Sequence, residues 1–225
     1  PVKKTTKVVY YWTGEVTGGE FEPNDEVDEI RWLSIDDACA LMTYDLDRQV
    51  LRKAQKRFGT PADARVLYVR HAHAHEREKW SGDDNLRPLD KKGRRQSEML
   101  VPLLSAFSPE RIYSAAPERC QTTVAPLADE LGIDVAVDER FGDEAWLSDM
   151  VGAQRAFTEV IEQGGTSVVC AQGDVIPGMI AWLSAQGTLP IDTEIHAKKG
   201  SVWVLSFHGG QLTGADYVPS ALPVL

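Results

Sequence analysis

The sequence predicts an α/β fold: a mainly parallel sheet with helices on both faces, preceded by a smaller segment of strands and helices. Three observations carry this. From Val66 onward, short apolar runs alternate with amphipathic stretches of helical period, the mark of repeated β-loop-α units. Several of those runs stop abruptly in polar or charged residues, as strands do at the ligand-binding edge of such sheets. Before residue 60 the pattern differs, with turn-rich loops, two helices and little strand.

Taken in order, Lys7-Val-Val-Tyr-Tyr-Trp12 is a β-rich run, Gly18-Gly19 a turn, and Phe21 to Glu26 loop chemistry. Val27 to Leu33 gives an imperfect strand. Ser34 followed by Asp37 resembles a capping box and opens a helix to about Met42. A second helix starts near Asp45, with Leu46, Val50, Leu51, Ala54 and Phe58 on one face and Gly59 as its C-cap. Residues 60–64 read as a linker. These first sixty residues offer too little apolar area to stand alone.

The run Val66-Leu-Tyr-Val69 is a buried strand, followed by Arg70, His71, His73 and His75. A polar loop through Trp80 and Arg87 leads to a helix from about Lys91 to Phe107. Arg111 to Ser114 is a strand, Arg119 to Leu131 a helix despite Pro126, and Val135 to Val137 a strand. Ala153 to Gln163 is helical, Ser167 to Cys170 a buried strand, and Ile176 to Leu183 a helix. A hairpin, Ser201 to Phe207 with Leu212 to Val218, completes the chain.

Composition excludes some functions. A net charge of −10 and a pI near 5.0 give no basic stripe for a nucleic-acid polymer. No apolar run spans a membrane and no signal-peptide pattern opens the chain. The three cysteines, Cys39, Cys120 and Cys170, lack metal-ligand spacing and fit reduced thiols in a cytoplasm. The chain opens on Pro1 without a methionine, an edge such as cleavage or trimming leaves.

Three strand ends bring chemistry to one sheet edge. The first supplies Arg70 and His71. The second leads through Ala-Ala-Pro-Glu to Arg119 at the opening of a helix. The third ends in Cys170-Ala-Gln172-Gly-Asp174, also opening a helix. Two arginines, a histidine and helix N-termini make a pocket for a phosphoryl group. A neutral imidazole there can attack phosphorus in line while the arginines hold the equatorial oxygens.

These residues, Arg70-His71 and Tyr113-Ser-Ala-Ala-Pro-Glu-Arg119-Cys-Gln-Thr122 with the later Gly-containing loop, resemble the histidine phosphatase superfamily over about residues 65–225. The resemblance implies His71 as the phosphorylated nucleophile, Arg70 and Arg119 as phosphate ligands, and no metal requirement. It also implies an acidic proton donor in the stretch 138–144, where Glu144 is favoured over Glu139 and Asp143. Arg87 and His73 are expected to border the phosphate, and His75 to be a solvated loop residue. Two positions depart from the family: Ala72 replaces a glycine, and Gln172 replaces the second histidine. A glutamine amide donates a hydrogen bond without charge, and losing one stabilising donor costs roughly a hundred- to a thousandfold in rate. A binding or assembly role for residues 65–225 is therefore an alternative to turnover.

Val8-Val-Tyr-Tyr-Trp12, Gly19 to Leu33 and Tyr44-Asp-Leu-Asp-Arg48 resemble the C-terminal part of a Nudix domain, which would occupy residues 1–59. The nearest type is the MutT-like hydrolases of actinobacteria that carry a histidine phosphatase domain behind the Nudix domain. That resemblance implies hydrolysis of nucleoside polyphosphates, including 8-oxo-guanine nucleotides and dinucleoside polyphosphates, with Mg2+ as Nudix cofactor. The Nudix box is absent: the only Arg-Glu dipeptide is Arg77-Glu78, and the positions for its Gly and Glu hold Asp63 and Val69. The missing half, supplied as a separate chain, and a homo-oligomer are the expected partners beside the nucleotide. Glu26, in the acidic run Pro23 to Glu29, is the candidate metal residue of an assembled site, and a solvated loop is the competing reading.

Two other chemistries compete with this reading. His71, His73 and His75 could ligate a metal, but the remaining histidines, His196 and His208, sit at no matching strand end. A thiolate phosphatase needs Arg six positions after its Cys; Pro126 and Ile176 stand there. Asp83-Asp84 and Lys91-Lys92 read as ordinary exposed charges.

Overall fold

The computed structural model describes residues 9, 11–187, 189–191 and 194–221. The chain divides into two compact units, Pro1–Pro61 and Ala62–Leu225.

In the first unit, helices α1 (Ile35–Leu41) and α2 (Asp45–Phe58) form where the sequence signals place them. Ser34 caps α1: its hydroxyl accepts from the Asp37 amide and donates to the Asp37 carboxylate at 2.6 Å. Gly59 ends α2 in a right-handed conformation, φ −71°, so no left-handed turn is used. The strand expected over Val27 to Leu33 does not form. A strand must satisfy its backbone groups on a neighbour, and every strand among the described residues belongs to the second unit. Instead Asn24 makes a turn, its side chain accepting from the amides of Glu26 and Val27 at 3.0 Å each. Lys7, Val8 and Tyr10 of the first expected strand lie outside the described residues; Tyr11 and Trp12 are irregular and exposed. Among the described residues of this unit only Cys39 is buried, while Phe21, Ile30, Trp32 and Leu33 are exposed.

The second unit carries the sheet, built from β1 (Ala64–Arg70), β2 (Arg111–Ser114), β3 (Val135–Val137), β4 (Gly165–Ala171), β5 (Val202–His208) and β6 (Gln211–Val218), in the order β3-β2-β4-β1-β5-β6. The pairs β1·β4, β2·β4 and β2·β3 are parallel, and β5 runs antiparallel to both β1 and β6. The mixed α/β sheet flanked by helices matches the expected class. Val66 to Val69 are nearly inaccessible because β1 lies between β4 and β5, covered on both faces. On one face Tyr68 packs edge-on against Phe157, centroids 4.9 Å apart.

The helices are α3 (Lys91–Ser105), α4 (Glu118–Leu131), α5 (Asp143–Ser148), α6 (Met150–Glu162) and α7 (Val175–Gln186). Pro126 inside α4 removes the amide that would bond the Thr122 carbonyl. The Ser97 hydroxyl of α3 lies 3.1 Å from that carbonyl and 2.7 Å from that of Thr123, which lets the helix run through the proline. The entry of α3 is tighter still. A Cβ on Gly93 would sit 1.8 Å from the His73 carbonyl oxygen, so only glycine lets the helix approach the loop after β1.

Candidate active site

Register places the site. Arg70 pairs with Ala171 and Ser114 with Cys170, so β1, β2 and β4 end together at one sheet edge. The residues that follow, His71, Ala115 and Gln172, therefore start their loops side by side. A cleft of about 450 Å³ opens there, lined among others by Arg70, His71, His73, Arg87, Arg119, Asp143, Gln172 and Lys199.

His71 is 5% exposed. Its Nδ1 lies 2.8 Å from the carbonyl oxygen of Ala72. A carbonyl only accepts, so Nδ1 carries the hydrogen and Nε2 keeps a lone pair. Burial, with the charges of Arg119, Arg70 and Lys199, lowers the imidazole pKa to about 3 against the opposing Ala72 bond. The ring is thus neutral across the physiological range.

Two arginines flank it. Arg119, 1% exposed in the first turn of α4, donates to the Asp84 carbonyl at 2.6 Å and pairs with its carboxylate at 3.1 Å. Arg70 donates to the Ala197 carbonyl and lies where a Cβ on Gly173 would collide with its guanidinium. The Nε of each is buried without a protein partner. Orphaned cationic donors on two residues of a cleft fit an anion. Thr123 ties these supports together, its hydroxyl accepting from the Ala72 amide at 2.9 Å and donating to the Arg119 carbonyl at 2.6 Å.

Arg87 lines the cleft but is 6% exposed and engaged, donating to Asp84 Oδ1 at 2.8 Å and the His75 carbonyl at 2.7 Å. Asp84 is thus no ordinary surface charge. Burial pushes its carboxyl up, but the Arg87 hydrogen bond, the charges of Arg119 and Arg87 and the Arg77 hydrogen bond prevail and bring it to about 2. His73 also lines the cleft, Nδ1 2.6 Å from Asp90 Oδ2, while Asp90 Oδ1 caps α3 through the Gly93 amide at 2.8 Å. His75 is exposed yet part of the cleft wall. Lys91 and Lys92 are exposed.

Of the acidic candidates in 138–144, only Asp143 lines the cleft; Glu144 and Glu139 are exposed and are not among its lining residues. The short helix α5, too brief for a periodic signal, starts at Asp143 and sets this choice. Asp143 Oδ1 accepts from the Asp174 and Val175 amides at the start of α7, at 3.0 and 2.9 Å. Its carboxyl is raised, chiefly by burial, with Asp174 adding to the rise while the two amides and Arg70 pull the other way. The Asp143 amide donates to Gln172 Oε1 at 3.1 Å, which leaves the Gln172 NH2 group as its remaining polar function.

Among the described residues no group of three or more His, Cys, Asp or Glu converges as a metal site. Nδ1 of His71 and of His73 are already engaged, and His208 ends β5 at the opposite sheet edge, near Asp63. Glu26 lies exposed in the Asn24 turn. Its neighbour Glu29 is bonded to Arg31 at 2.7 and 2.8 Å. No described helix is long and apolar enough to cross a membrane.

Comparison with known proteins agrees with this geometry. The profile of the histidine phosphatase superfamily (branch 1) matches residues 66–159. An 8-oxo-(d)GTP phosphatase of Mycolicibacterium smegmatis is 43% identical over 219 residues, covering 97% of this chain and 67% of that protein. The protein histidine phosphatase SixA, solved with tungstate, is similar in fold, with TM-score 0.57, 17% identity and 70% of this chain and 97% of that one covered. A mycobacterial glucosyl-3-phosphoglycerate phosphatase, solved with VO3, gives TM-score 0.55, 18% identity and coverage of 69% and 98%. The arginine–histidine strand end, its matched profile and the similarity to the mycobacterial relative over 97% of this chain together place this chain in the histidine phosphatase superfamily.

Proposed function

We propose that residues 62–225 form a metal-independent phosphohydrolase that transfers a phosphoryl group to Nε2 of His71, and that its substrates are nucleotides. The observation that carries the first part is the Nδ1 bond to the Ala72 carbonyl, which fixes a neutral imidazole with Nε2 free. Nucleotide specificity is supported by the 43% identical relative named as an 8-oxo-(d)GTP phosphatase.

The chemistry follows from the groups at hand. Phosphoryl oxygens bind Arg70 and Arg119, whose Nε donors are otherwise unpaired. Nε2 attacks phosphorus in line as the bond to the leaving oxygen breaks. The ring becomes cationic, and its Nδ1 hydrogen bond to Ala72 strengthens. Asp143, protonated in a fraction set by its raised pKa, gives its proton to the leaving oxygen. Water then attacks the phosphohistidine, Asp143 takes the water proton, and inorganic phosphate leaves with the imidazole neutral again.

The Nudix reading of residues 1–59 stays a separate part of the proposal. It is supported by the exposed apolar side chains of that unit, such as Ile30, Trp32 and Leu33, which a complementary half would cover. The described residues offer no donor set that fits Mg2+, so no step is routed through it. A purely binding role for the cleft, which the neutral Gln172 favours, is the competing reading.

The test is hydrolysis with a chelator present. The purified chain is incubated with nucleoside mono-, di- and triphosphates and a simple phosphate ester, and free phosphate is measured. Release that survives chelation and disappears in His71→Ala supports the proposal. Release from no substrate leaves the binding role.

A further inference from the structure

Lys199 is a cleft residue that the strand-end pattern does not reveal, and the peptide group between it and Gly200 is tied to the end of β1 and to Gln96 of α3. The Gly200 amide donates to the Arg70 and His71 carbonyls, at 3.1 and 3.2 Å. Gly200 adopts φ +73°, the left-handed turn that lets one amide reach both. The Lys199 carbonyl accepts from Gln96 Nε2 at 2.9 Å, and Gln96 Oε1 accepts from the His73 amide at 2.9 Å. The turn that carries Lys199 is therefore held to the same backbone that holds His71.

Its ammonium differs from the other cations of the cleft. Arg77, Arg87 and Arg119 all bond Asp84, and Arg70 bonds the Ala197 carbonyl. Lys199 has no hydrogen-bond or ion-pair partner for its side chain among the described residues. Gln172, whose oxygen is taken by the Asp143 amide, brings no charge. A flexible point charge with rotatable donors suits a phosphoryl group that changes shape during transfer.

We infer that Lys199 is a direct ligand of the phosphoryl group, the freely movable cation of a site whose arginines are fixed by the protein. Burial, then the charges of Arg70 and Arg87, holds its pKa below the ordinary lysine range, and an anion bound among these groups would relieve that crowding. The inference deepens the reading of this cleft as a phosphoryl site and rests on it.

The probe is inorganic phosphate, titrated calorimetrically into the whole chain and into Lys199→Met, Lys199→Gln and Lys199→Arg. A charge-assisted contact predicts binding weaker by about 10- to 100-fold in Met and Gln and within about threefold of wild type in Arg. The unfolding midpoint should stay put, which separates ligation from a structural role. Equal phosphate affinity in wild type, Met and Gln would overturn the inference while leaving hydrolysis through His71 intact. Lys199-dependent phosphate binding without hydrolysis of any ester would keep the inference and sink the proposed turnover. No phosphate binding by the wild-type chain would overturn both.

Discussion

Asp84 grips Arg119 at two points, its carbonyl oxygen 2.6 Å from Nη1 and its carboxylate 3.1 Å from Nη2. The same carboxylate holds Arg87 and Arg77. One acidic residue thus orients the deeply buried arginine of the cleft, whose Nε stays buried without a hydrogen-bond partner.

Asp84→Asn removes the charge and keeps the shape. We expect phosphate-ester turnover to fall by about 10- to 100-fold, since a buried, hydrogen-bonded charge pair loses one partner. The pH dependence of stability follows from the sign of the shift. The folded pKa, about 2, lies below the ordinary 3.8, so the contribution is present above 3.8 and lost as pH falls to about 2. Acid unfolding followed by circular dichroism should show wild type more stable than the variant at neutral pH, with the gap closing below about pH 2.

His71 contributes a pH dependence of its own. Unfolded, the imidazole binds a proton near 6.5; folded, it does so only at about 3, so the unfolded state holds more protons between these values. Stability therefore declines as pH falls from 6.5 toward 3. Urea unfolding of His71→Gln across this range should show a shallower decline than wild type. Parallel curves would mean that the ring is not buried neutral.

Asp143 is the proposed acid because it lines the cleft. Asp143→Asn keeps the acceptor for the Asp174 and Val175 amides but cannot protonate a leaving group. A loss of about 100-fold is expected for esters with strongly basic leaving oxygens, and much less for nitrophenyl esters, whose leaving group needs no proton. Glu144→Gln and Glu139→Gln should retain wild-type rates with both substrates.

Gly93→Ala tests the close approach of α3 to the loop after β1. With the added carbon 1.8 Å from the His73 carbonyl, backbone must move. Destabilisation of about 1–3 kcal/mol or more is expected from denaturant midpoints. A variant as stable as wild type would show that the loop and helix separate at little cost.

What was legible in the sequence had local causes. The apolar run that stops at Arg70 marks the strand and places His71 at its end, because burial and its end are written in consecutive residues. Ser34 with Asp37 marked α1 for the same reason. Asp84 has the look of a surface charge in the sequence because its partner Arg119 is 35 residues away. Lys199 carries no sequence signal because it reaches the site through a turn after α7, and no strand end announces it. Asp143 and Glu144 are not separable in the sequence, since six helical residues carry no period from which to tell which neighbour lines the cleft. Val27 to Leu33 has strand composition, but a strand is a property of a pair.

The most direct measurement is isolation of the phosphoenzyme. The chain is mixed briefly with a radiolabelled phosphate ester, quenched in base, and the labelled peptide is sequenced. The account predicts a base-stable, acid-labile phosphoramidate on the peptide containing His71, absent in His71→Ala. A label that persists in that variant, or hydrolysis that proceeds with no covalent label at all, would contradict it.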